Sequence, residues 1–102
     1  SGGNQQKIVV SKCVNADPKI LLVDEPTRGV DVGAKEEIHA ILDEMVKEGK
    51  SIIVVSSELL EVLKLSDRVL VVRDGRIVAE LTKEEAGQEV IMQYAMGGSS
   101  YE

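Results

Sequence analysis

The 102-residue chain has no tryptophan and no phenylalanine, and Tyr94 and Tyr101 are its only aromatic rings besides one histidine. A core without large rings has to be assembled from Val, Ile and Leu, a composition that suits a parallel sheet buried under helices. Cysteine is nearly missing as well. Cys13 stands alone, so no internal disulfide can form, and a reducing, cytosolic setting is expected. No apolar run approaches the roughly 18 residues that a membrane-spanning helix needs, and no secretory leader pattern is visible. The phosphate-wrapping pattern G-x-x-x-x-G-K-[ST] occurs nowhere in the chain.

What remains is the composition of a water-soluble globular domain, 43% apolar and 29% charged, with length for one small domain. The formal net charge of −6 argues against a nucleic-acid backbone as partner, because such binding depends on Lys and Arg neutralising phosphates.

Periodicity orders the chain as helix, strand, helix, strand, helix, hairpin, helix. Residues 5–15 predict a helix with Ile8, Val9 and Cys13 on its apolar side, which makes Cys13 a packed thiol without a function. Asp17-Pro18 ends it, since the residue before proline is pushed out of the helical region. The run Ile20 to Val23, closed by Asp24-Glu25-Pro26, predicts a strand buried on both faces, and SIIVVSS predicts another. Between them a helix from Ala34 to Lys47 carries Ala34, Ile38, Ile41, Leu42, Met45 and Val46 on one face and stops at Gly49. His39 reads as a surface or boundary residue, and Lys35, Glu36 and Glu37 as a solvated face. A short helix from Glu58 to about Leu65 turns Leu59, Val62 and Leu63 inward. Asp74-Gly75 between RVLVVR and RIVAEL signals a two-residue hairpin. A helix over 83–96, with Met92 and Tyr94 in local packing, ends at Gly97-Gly98, and residues 97–102 are expected to fray. The fold class is therefore α/β, with a partly parallel sheet and an antiparallel C-terminal hairpin.

Three stretches carry chemistry. SGGNQQK, ILLVDEP and GVD follow one another in the order and spacing of an ABC-type ATPase. With DEPTRGVDVGAK and SSELLEVLKLSDR, the chain resembles the C-terminal nucleotide-binding half of tandem ATPases that serve monosaccharide importers of the ribose, galactose and xylose type. The resemblance implies an incomplete P-loop NTPase core: residues 1–102 would be the C-terminal part of one nucleotide-binding domain, without its P-loop and most of its helical subdomain.

The same resemblance assigns roles. Ser1, Gly2, Gly3, Asn4 and Gln5 match the signature that closes over ATP bound by an opposing domain. A helix start with free N–H groups and glycines suits a phosphate. Asp24 matches the aspartate that holds Mg2+ through water, and Glu25 the general base that polarises attacking water. Gly29, Val30 and Asp31 match the D-loop at the interface between the two sites.

Ser57 stands where most relatives place a switch histidine. A hydroxyl can bond a phosphate but lacks the imidazolium charge, so this half's own site is expected to be weak. The implied partners are the opposing nucleotide-binding domain, a membrane permease and, indirectly, a sugar-binding protein, on the cytoplasmic face of the membrane. The parent protein would hydrolyse ATP, whereas the chain alone would not, and its uncovered apolar surface would favour self-association. Two other readings stay open: a stand-alone interaction or regulatory module that pairs with a complete ABC ATPase, and a non-transport ABC ATPase.

Overall fold

The computed structural model describes residues 2–97 and divides at Ser57/Glu58 into two compact units. The first unit holds α1 (Gly2–Asn15), β1 (Ile20–Asp24), α2 (Val32–Lys47) and β2 (Ser51–Val55). The second holds α3 (Leu59–Leu65), β3 (Arg68–Arg73), β4 (Arg76–Thr82) and α4 (Gln88–Ala95).

In the first unit, β1 and β2 pair in parallel, from Ile20 opposite Ser51 to Asp24 opposite Val55. A parallel pair needs a crossover, and α2 supplies it. Each end of α2 is fixed by local chemistry. At its start, Asp31 caps the helix by accepting a 2.8 Å bond from the Ala34 N–H. At its end, Gly49 (φ +90°) donates to Val46 O and Lys50 N donates to Met45 O, the paired C-terminal bonds that need a left-handed residue. The inner face of α2 is Ile38, Leu42 and Met45, buried with Val10 of α1 and with Leu21 and Val23 of β1, whereas Val46, expected on the same face, turns outward at the last turn of the helix.

The expectations for the strands, for α1 and for His39 are corrected. The strands are covered on one face only: Leu21 and Val23 are buried, whereas Ile20 and Leu22 are 65% and 66% exposed, as are Ile53 (55%) and Val55 (50%) on β2. In the described residues α2 packs on β2 and α1 packs on α2, so the helices line one side of the pair. On α1 the buried positions are Gly3 and Val10, which turns Ile8 and Val9 outward and leaves Cys13 exposed. His39 is buried rather than superficial. It sits at the 3.6-residue spacing that puts it in one stripe with Ile38 and Leu42.

The second unit is built on the hairpin. Asp74 (φ +53°) and Gly75 (φ +77°) form its two-residue turn, with both residues left-handed as a type I′ turn demands. Val69 and Val71 on β3 and Ala79 and Leu81 on β4 face one way and pack with Ile91 of α4. Leu59, Val62, Leu63 and Tyr94 close around that cluster as expected, whereas Met92 is exposed. The last helix begins later than its periodicity suggests. Thr82 and Glu85 bond reciprocally, each backbone N–H to the other's side chain at 2.8 and 3.2 Å, which holds the chain in a turn before Gly87. Gly97, the first residue of the stretch 97–102 expected to fray, instead ends α4 with φ +84° and donates to Tyr94 O, while residues 98–102 lie outside the described residues.

Candidate functional site

The C-terminal edge of the parallel pair is where ligands collect in open α/β sheets, and it is where the predicted acids lie. Asp24 is the last residue of β1 and belongs to the exposed face with Ile20 and Leu22. Glu25 does not continue the strand. Its φ is +50°, a left-handed conformation uncommon for a residue with a side chain. Several contacts hold it there: its N–H donates to Val55 O at 2.7 Å, its carbonyl accepts from Arg28 N at 3.2 Å, and the buried Pro26 and Thr27 follow it. The turn swings the Glu25 carboxylate across to the loop after β2, where Oε1 accepts a 3.1 Å bond from the Ser57 N–H. Glu25 and Ser57, far apart in sequence, are thus brought together, and Asp24 stands beside them on the open face.

Asp31 is placed differently. Its carboxylate is used as the cap of α2, where Oδ1 holds the Ala34 N–H. The Gly2–Gln5 segment forms the first turn of α1, which is tied to α2 by the 3.0 Å ion pair of Lys7 with Glu37. Gly3 is buried and Gly2 exposed, and apart from its chain neighbours and the backbone of its own helical turn nothing lies within 4 Å of where a side chain at Gly2 would begin. No crowding inside the chain therefore calls for glycine at position 2. Ser1 lies outside the described residues.

Among the described residues no group of three or more His, Cys, Asp and Glu side chains is placed to hold a metal ion. A lone exposed carboxylate such as Asp24 fits magnesium all the same, because that ion takes one or two carboxylates and fills its remaining positions with water and phosphate. Three buried polar residues were not singled out as inward-facing from sequence: Thr27, His39 and Glu61. His39 was detectable, since it lies three residues before Leu42 at the edge of the inward stripe of α2, whereas Glu61 falls on the side of α3 away from Leu59, Val62 and Leu63, so periodicity does not mark it. Thr27 lies in a turn, where periodicity carries no signal.

The chain is similar along its whole length to the ribose import ATP-binding protein RbsA of Oceanobacillus iheyensis, with 54% identity over 102 residues that make up 21% of that protein. RbsA of Bacillus cereus is 56% identical over 98 residues, 96% of this chain and 20% of its own length. Homologues of this chain are thus ribose import ATP-binding proteins. The fold agrees. The ABC cassette MJ0796, solved as a dimer in a post-hydrolysis state bound to ADP and Pi, superposes with a TM-score of 0.72 at 28% identity, over 81% of this chain and 36% of the cassette. The chain spans about a fifth of the length of the curated relatives it matches. No protein-family model matches it. Among the described residues no helix is long and apolar enough to cross a membrane.

Proposed function

We propose that the chain works as one segment of the ATP-binding subunit of an ABC importer for a monosaccharide, the C-terminal part of a nucleotide-binding domain. The observation that carries this reading is the acidic edge of the parallel pair, where Glu25 is fixed in a left-handed turn beside Asp24. The names of the homologues and the fold of the cassettes support it.

In this reading Glu25 accepts the proton of the attacking water on the carboxylate oxygen that Ser57 leaves free. Asp24 holds magnesium through water, and the ion supplies neutralisation of phosphate charge when bound. The signature residues Ser1, Gly2, Gly3, Asn4 and Gln5 meet the γ-phosphate of ATP held by an opposing domain, with backbone N–H groups of the first turn of α1 facing it. The open space at Gly2 suits that role, since it leaves room for an anion to approach the backbone. With Ser57 in place of a cationic imidazole, hydrolysis at this half's own site is slow. The opposing nucleotide-binding domain is the direct partner, the permease follows through the rest of the subunit, and a sugar-binding protein acts only indirectly. The place of action is the cytoplasmic face of the membrane.

Gly2→Asp tests the reading by putting a carboxylate into the phosphate-facing turn. ATP turnover by the importer that contains this segment is expected to fall by at least about a hundredfold. Turnover that survives the substitution removes the start of α1 from the site.

A further inference from the structure

Ser57 enters this site by its backbone, and the geometry assigns it a role there that its side chain does not perform. We propose that Ser57 is a positioning residue for Glu25, acting through its main-chain N–H on carboxylate Oε1. The inference rests on the reading of Glu25 as the water-activating base and adds how that base is held.

Two observations carry it. The donor is a backbone amide at 3.1 Å, fixed in space two residues beyond the last β2 residue that pairs with β1, so the only side chain ordered by the bond is that of Glu25 itself. The acceptor belongs to a residue that is itself over-determined. Glu25 keeps a left-handed φ of +50° because its own N–H is bonded to Val55 and its carbonyl to Arg28. Backbone strain held in place from several sides is characteristic of residues whose direction matters. Were the carboxylate to continue along an extended strand, it would lie on the opposite face from Asp24 and away from the β2 loop. The turn and the amide together direct one oxygen to Ser57 and leave the other for water. The base is then oriented by main chain at a position where a histidine side chain is missing, so replacement of the Ser57 side chain leaves the arrangement intact, whereas loss of the N–H does not.

Two measurements test this. In the 15N-labelled chain the Ser57 amide should exchange at least about tenfold more slowly than in Glu25→Ala, and should keep that protection in Ser57→Ala. In the complete import ATPase, with the opposing site disabled so that only this site turns over, Ser57→Pro should lower kcat about tenfold below Ser57→Ala, with KM for ATP within about twofold. An ester in place of the 57 amide removes only the N–H and replaces the proline variant should that fail to fold. Turnover that Glu25→Gln does not remove overturns the assignment of the base and the positioning with it. Turnover that requires Glu25 yet is equal in the alanine, proline and ester variants overturns the positioning alone, as does an unprotected Ser57 amide.

Discussion

Leu22 and Ile53 are register partners on the parallel pair, side by side on its uncovered face, and both are more than half exposed. Ile20 and Val55 extend the patch on either side of them. Contiguous aliphatic surface of this kind favours association with more of the same. The 102-residue chain is therefore expected to self-associate with rising concentration. Leu22→Ser combined with Ile53→Thr should shift it toward monomer in sedimentation velocity at little cost in stability, since neither side chain is buried. A concentration-independent monomer in the unsubstituted chain contradicts this.

Ile38 is fully enclosed between Leu42, Met45 and their surroundings. Ile38→Ala removes the transfer energy of the side chain and leaves a cavity, which together cost about 3 kcal/mol or more. Urea unfolding followed by circular dichroism should show that loss. A change below about 1 kcal/mol would mean that the first unit is not organised around this position.

Much of this was legible in the sequence, and for physical reasons. The Asp74-Gly75 hairpin, the Gly49 stop and the inward face of α2 follow from local φ requirements and a strong 3.6-residue period. The strands were harder. ILLV is aliphatic throughout, so its pattern does not say which face is covered, and the exposure of Ile20 and Leu22 depends on which elements lie over the pair. On α1 the period is weak. Gly3, without a side chain to mark it, is the buried partner of Val10, and the eye is drawn instead to Ile8, Val9 and Cys13. At the candidate site, the chemistry of Asp24 and Glu25 was readable, whereas the left-handed turn at Glu25 and its bond to the Ser57 amide were not. They arise from tertiary pairing between segments 32 residues apart.

Arg73 offers a test of the second unit. Its Nη1 donates a 2.7 Å bond to the carbonyl of Tyr94 in the last turn of α4, tying that helix to β3. A charged donor on a partly buried carbonyl contributes more than a surface ion pair. Arg73→Ala is expected to cost about 1–2 kcal/mol, and Arg73→Lys part of that because the planar fork is lost. Gly97→Ala should also destabilise, since φ is +84°, a left-handed conformation that strains a residue with a side chain. Thermal unfolding of all three variants measures these differences, and an unchanged midpoint in Arg73→Ala removes the tie.

Asp31 has two roles assigned to it that a single substitution confuses. Its Oδ1 caps α2 at 2.8 Å from the Ala34 N–H, and its position matches the D-loop proposed to lie between two nucleotide sites. Loss of a cap costs about 1 kcal/mol, so Asp31→Ala should lower stability by that amount whatever else it does. Serine and asparagine cap nearly as well as aspartate but carry no charge. Asp31→Asn and Asp31→Ser should therefore retain the stability of the chain, and ATP turnover by the complete importer separates the two roles. A stable Asp31→Asn variant that turns over several-fold more slowly assigns the charge to the interface between sites. If Asp31→Asn and Asp31→Ser match the unsubstituted importer while Asp31→Ala alone is impaired, the residue acts only by starting α2, and its contribution to the site is the direction it gives that helix.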